Sequence, residues 1–271
     1  MNKNFDSLLD EKIPLLIPVE IMEDYNEVTN ENLRAKTRAT SLRRCLEGSI
    51  QLFYREKMIN LGCVTKKEWD KKRLVEHIKL IGEHIDKNIA FKFNKVRLIG
   101  NAGGHFHSTV EHSQINNLIT IINEIIEDLL VKYFEEFKFG SQNSVLTILS
   151  SLPPIHRVKI LEKVRDNDKS NIILIEKLSM AYLKSGNFEK SILFLTEVLG
   201  EKIITKYHYS ILVEKIELLH KSLDKFDISK NILDTARIFK QLSRVGFAAE
   251  YEEFMHIFSV LVNGYSTEEA N

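Results

Sequence analysis

Four prolines and two cysteines in 271 residues exclude several designs at once. Cys45 and Cys63 are too few for a disulfide framework or a cysteine-rich zinc site. With proline confined to Pro14, Pro18, Pro153 and Pro154, long helices can run uninterrupted through the rest of the chain. No apolar run approaches the ~20 residues of a membrane span, and the N-terminus has no apolar signal region. No segment sustains the period-two alternation of a half-buried strand. No glycine-rich loop is followed by Lys-Ser or Lys-Thr, so there is no P-loop, and no serine sits in a nucleophile elbow. The 38 basic and 38 acidic residues cancel, so the chain as a whole has no pull toward nucleic acid or anionic lipid. The expectation is an all-α, soluble, cytoplasmic protein with no membrane contact, no cofactor and no metal.

What is present is helical periodicity over a composition that is 44% hydrophobic, enough for a sizeable core. Residues 31–58 carry Ala35, Ala39, Leu42, Leu46, Ile50 and Phe53 at helical spacing, and 68–85 repeat it through Leu74, Ile78, Ile81 and Ile85. A shorter segment, 89–99, leads into a cluster of glycines. Residues 113–138 hold the widest stripe, Ile115, Leu118, Ile122, Ile125, Leu129 and Tyr133, which suits the centre of a bundle or a dimer interface. The stretch Ile175-x2-Leu178-Ser179-x2-Tyr182-x3-Gly186-x-Phe188-x2-Ser191-x3-Leu195 matches the tetratricopeptide pattern, without its closing proline and without a second copy 34 residues on. Further helices are expected at 206–222, 228–243 and 247–263, and the acidic tail Ser266–Asn271 reads as disordered. Trp69 reads as a packing anchor. Pro153-Pro154 is the best candidate for a domain boundary. The expected organisation is an irregular N-terminal segment over 1–29, a helical bundle over 30–140 and an array of helical hairpins over 141–271.

The zero net charge hides a local imbalance. Residues 31–100 carry a net +9, against −5 for residues 1–30 and −4 for 101–140. A solvated basic helix face paired to acidic neighbours explains this, and so does a surface that faces phosphate. Three of the eleven glycines, Gly100, Gly103 and Gly104, fall within five residues at the end of the basic segment. Glycine costs roughly 1 kcal/mol inside a helix. Three together therefore mark a tight turn or a close backbone approach.

Side chains able to do chemistry frame that cluster. Arg97 can hold a phosphate bidentately, His105 can move protons near neutral pH, and Asn101 can orient either one. Gly103 and Gly104 would let a backbone come close to a ligand. Such a set suits an RNA phosphodiester, with a base for the 2′-hydroxyl, an acid for the leaving oxygen and a cation for the developing charge. In the plainer reading, Asn101 and His105 cap and brace a joint between two helices. A third reading, metal ligation by His105, His107, Glu111 and His112, lacks the fixed spacings of zinc or iron motifs.

The segment Arg43-Arg44-Cys45-Leu46-Glu47, followed about fifty residues later by Val96-Arg97-Leu98-Ile99-Gly100-Asn101-x3-His105, resembles a bacterial family within the HEPN-like superfamily (higher eukaryote and prokaryote nucleotide-binding). The resemblance covers residues 30–138. It implies a four- or five-helix bundle, often a homodimer, with a frequent role in bacterial defence. Many relatives in the wider superfamily are metal-independent ribonucleases whose arginine and histidine lie four to six residues apart. Carried over, Arg97 would bind the scissile phosphate, Asn101 would position it and His105 would act as acid or base. Arg43 or Arg44 and Glu47 would line the same cleft. Seven residues separate Arg97 from His105, and Leu98 stands where a polar residue is expected. Arg43 and Glu47 also stand at i and i+4, a helix pair worth about 0.3–0.5 kcal/mol.

Two functions follow. One is a HEPN-like protein that binds or cleaves RNA or a nucleotide, as a metal-independent ribonuclease at a dimer interface. The other is a non-catalytic, dimerising adaptor that recruits a protein partner through residues 154–271.

Overall fold

Helix periodicity without strand alternation has the outcome it dictates. The structure, a computed structural model, describes residues 13–243 and 252–265, and among these it contains fifteen α-helices and no strand. The chain divides into two units, one of residues Ile17–Ile126 with Glu252–Gly264 and the other holding 127–243 with 13–16 and 265.

The first unit is built around two long helices, α2 and α6, packed antiparallel. Its elements are α1 (Met22–Thr29), α2 (Ala35–Phe53), α3 (Arg55–Asn60), α4 (Lys66–Trp69), α5 (Leu74–His84), α6 (Lys87–Gly104) and α7 (His112–Asn123). The starts are dictated locally. Thr65 and Glu68 form a reciprocal capping box at α4. The Asp86 carboxylate accepts the first free amides of α6, from Asn88 and Ile89, at 2.7 and 3.0 Å. From α2, Ala39, Leu42, Leu46 and Ile50 are fully buried, and Phe93 and Val96 of α6 join them. Each such large apolar side chain contributes roughly 1.5–3 kcal/mol. The Tyr54 and Phe93 rings meet edge to face at 5.7 Å. Trp69 is fully buried, stacks on His77 at 3.9 Å and donates to Gln51 at 2.7 Å, as a packing anchor does.

Three features of this unit differ from the sequence expectation. The segment 1–29 was expected to be irregular, but Met22–Thr29 is helical; Tyr25 and Val28 give only one apolar i, i+3 step, too short to read as a period. The glycine cluster is not a turn. Gly100, Gly103 and Gly104 continue α6 with no positive φ. Finally α15 (Glu252–Val262), far off in sequence, belongs here and buries Phe254, Ile257, Phe258 and Leu261. Its His256 ring nitrogen reaches the Leu52 carbonyl oxygen at 3.0 Å.

The helices of the second unit are α8 (Ile125–Glu136), α9 (Asn143–Leu149), α10 (Pro154–Asn167), α11 (Ile172–Lys184), α12 (Phe188–Gly200), α13 (Lys206–Lys221) and α14 (Ile232–Leu242). Here α10 to α13 stack successively on their chain neighbours, while α14 packs against α9. The expected single helix over 113–138 breaks at Glu124, between α7 and α8. The two units divide at Ile126/Glu127, inside α8, rather than near 140. Pro153-Pro154 marks no boundary between units. Pro153 caps α10 and Pro154 takes its first position, where a missing N–H is harmless. The segment read as tetratricopeptide-like forms the α11–α12 hairpin. Gly186 turns the chain at φ +86°, and the Ser191 hydroxyl donates to the Ser179 carbonyl at 2.8 Å across the tight helix contact. His156 of α10 bridges the Glu127 carboxylate (2.7 Å) and the Pro14 carbonyl (2.6 Å), tying residues 13–16 into this unit. The acidic tail 266–271, residues 1–12 and residues 247–251 of the expected last helix lie outside the described residues.

Candidate functional site

The glycines of α6 are explained by what they touch. A Cβ on Gly100 would stand 2.3 Å from the Arg43 Cβ, and one on Gly103 would stand 2.7 Å from the Lys36 carbonyl oxygen. Glycine at these two positions lets α2 and α6 approach more closely than any other residue permits. Gly104 faces open space. Of the two readings of the cluster, the close backbone approach is the one present.

That approach places the candidate residues. Asn94, Arg97 and Asn101 recur at i, i+3 and i+7, so they share a face of α6. The Arg97 Nε donates to the Asn94 side chain at 2.9 Å. Arg97 is only three residues, ~4.5 Å of rise, from the Gly100 contact with Arg43. Arg43 Nε is sealed from solvent with no hydrogen-bond acceptor. Its terminal nitrogen lies 3.8 Å from Glu47, the expected i, i+4 pair at a loose distance. Arg44 is engaged elsewhere. It pairs with Asp24 and Glu27 of α1, at 2.5 and 2.8 Å. Part of the basic segment is thereby neutralised by the acidic one before it.

His105 caps the C-terminal end of α6, with its backbone N–H on the Ala102 carbonyl at 3.2 Å. Lys36 donates to the carbonyls of His105 and Phe106, at 3.0 and 2.8 Å, and pins the following loop to α2. The His105 side chain is exposed. Eight positions separate it from Arg97, which on a regular helix is ~12 Å of rise and ~80° of rotation. Within one chain, Arg97 and Asn101 are brought together on one face, and His105 stands apart from Arg97 with no hydrogen bond between them.

The residue the sequence reading missed is Arg38. It is 2% exposed. It donates from Nε to the Val28 carbonyl at 2.7 Å, to His112 Nδ1 at 2.6 Å and to the Asn116 amide oxygen at 2.7 Å. Asn116 in turn donates to Glu31 at 3.1 Å. An arginine has no acceptor, so Nδ1 of His112 takes the bond through its lone pair. The signal was available, since Arg38, Leu42, Cys45 and Ser49 lie at i, i+4, i+7 and i+11 and are all buried. His112 is thus a strut. Among the described residues, no group of three or more histidine, cysteine, aspartate or glutamate side chains is placed to hold a metal ion. Cys45 is fully buried, which pushes its thiol up to about 12 and leaves it inert. Among the described residues no helix is long and apolar enough to cross a membrane. Comparison of the chain with protein-family models, with curated proteins and with solved structures finds no match.

Proposed function

We propose that the first unit binds the phosphate of an RNA or nucleotide on the α2/α6 face that carries Arg43, Arg97 and Asn101, with His105 at its edge. The observation that supports this most is Arg43 Nε, buried without an acceptor where α2 meets Gly100, a position one helical turn along α6 from Arg97. A buried charged donor without an acceptor costs stability unless an anion completes it. The excess of cations over residues 31–100 and the HEPN-like resemblance point the same way.

As a ribonuclease, the protein would need a second copy. Arg97 and His105 of one chain do not converge, and a homodimer would supply the missing partner at the scissile phosphate. The binding reading stands without that step. A second reading, recruitment of a protein partner by the helical array, draws on Tyr207, Ile211 and Leu218, which are 71%, 42% and 58% exposed along α13.

The experiment is fluorescence anisotropy of the full chain with labelled single-stranded RNA in EDTA, alongside a cleavage assay on tRNA. Arg97→Ala is expected to weaken binding at least ~10-fold, as loss of a charge-assisted phosphate contact does. Cleavage by wild type but not His105→Ala, leaving 2′,3′-cyclic phosphate ends, would add the ribonuclease step. RNA affinity unchanged in both Arg97→Ala and Arg43→Ala sinks the proposal.

A further inference from the structure

The turn that follows α6 holds a side chain that packing does not explain. Phe106 is 89% exposed, more than any other large apolar side chain among the described residues. Single exposed hydrophobes are ordinary on a surface, but the backbone that carries this one is fixed. The Ser108 N–H closes a turn on the His105 carbonyl at 3.4 Å, and Lys36 of α2 donates to the carbonyls of both His105 and Phe106, at 3.0 and 2.8 Å. Those two bonds use two of the three N–H groups of the ammonium and leave one for a ligand. The same nitrogen lies 6.0 Å from the centre of the Phe106 ring, at the limit of a cation–π contact. His107 meets that ring nearly at right angles, with centres 5.1 Å apart. Phe91 of α6 makes a useful contrast. It is 63% exposed, with the Lys95 nitrogen 4.5 Å from its ring centre. Nine positions separate it from Gly100, half a turn round the helix, so it stands on the side away from α2.

Phe106 adjoins His105, the residue at the edge of the α2/α6 face, and one lysine of α2 ties both to that face. An open aromatic ring beside cations suits a nucleobase, because cations track a phosphate backbone while the ring stacks on any base. Only a single strand offers such a base, since the bases of a duplex are stacked on one another. We propose that Phe106 is the base-stacking residue of the α2/α6 face and that the ligand of this face is single-stranded RNA. A base rests on the Phe106 ring while Arg97 holds a phosphate of the same strand. The assignment rests on the phosphate-binding reading above and adds the form of nucleic acid that is bound.

The test measures affinity of the full chain for labelled oligouridine and for a labelled RNA duplex of the same length. Wild type is expected to prefer the single strand. Phe106→Ala should weaken oligouridine binding about 5- to 100-fold, the loss of one stacked base, and leave the duplex affinity unchanged. Arg97→Ala should weaken both, and Phe91→Ala neither. Phe106→Trp should keep the affinity, and oligouridine should quench its emission. Wild type, whose single tryptophan Trp69 is fully buried, should show no quenching. Affinity lost in Arg97→Ala but kept in Phe106→Ala overturns the stacking role and leaves the phosphate face standing. So does a Phe106→Trp emission that RNA does not change. Equal weakening of both RNAs in Phe106→Ala also overturns it, because a turn that only positions phosphate contacts would act on both. Wild type that binds neither RNA removes the phosphate reading and the stacking role together.

Discussion

Among the described residues two arginines are buried between helices, one in each unit, and their surroundings are opposite. Arg38 places three guanidinium nitrogens on three acceptors, and one of the two on α7, Asn116, is itself held by Glu31. Arg157 of α10 has none. A buried guanidinium surrendered its hydration in both cases. In the first it receives a full replacement, and removing it would orphan a carbonyl, an imidazole and an amide. In the second there is nothing to orphan. The difference separates a charge that the fold requires from one that the fold tolerates.

The same substitution at the two positions breaks the comparison most sharply. Arg38→Met should lose about 1–3 kcal/mol, since the buried Val28 carbonyl is left without a donor while water can reach His112 and Asn116. Urea unfolding followed by circular dichroism measures it, and Arg38→Lys should rescue little, because one ammonium cannot span three directions. A loss under ~1 kcal/mol would show that water reaches the Val28 carbonyl as well.

Next in size are the glycines. Gly100→Ala drives a methyl into the Arg43 Cβ and should cost about 1–3 kcal/mol, by forcing α2 and α6 apart. Gly104→Ala meets open space in a helical residue and should be neutral or gain up to ~1 kcal/mol. Equal costs at both would mean that the α2/α6 approach is looser than it stands here.

How far the sequence revealed these features follows from their range. The α11–α12 hairpin was legible because its signals are local. Its buried positions repeat at helical spacing, and Gly186 sits where the chain must take a positive φ. The end of α6 was not, because glycine argues against helix locally and only the approach of α2, some sixty residues earlier, explains it. The placement of α15 with the first unit depends on contacts across about two hundred residues, beyond any period. Of the candidate site, Arg97 and Asn101 were legible as one face of a helix. The separation of His105 was not, because the expected turn would have folded it back.

Arg157→Met sharpens the comparison from the other side. It should leave stability within ~1 kcal/mol of wild type or raise it, because an unpaired buried charge is replaced by an apolar chain of similar length. The urea midpoint gives the answer. A loss as large as that of Arg38→Met would show that Arg157 has a structural partner after all and would erase the contrast.

The smallest effect belongs to a charge that is paired but partly exposed. Glu27 accepts from the Ser41 hydroxyl and from Arg44, and these hold its carboxyl below the ordinary carboxylate value, the Ser41 bond contributing most. The native state then binds fewer protons than the unfolded chain near and below that value. Its contribution is complete above it and is lost as the pH falls through it, between about pH 5 and pH 3. Because the group is exposed, screening keeps the contribution slight. Glu27→Gln should therefore flatten the acid limb of a plot of Tm against pH by a small amount and change little at pH 7. If the acid limb keeps its full slope in Glu27→Gln, the α1–α2 tie is a surface contact without thermodynamic weight.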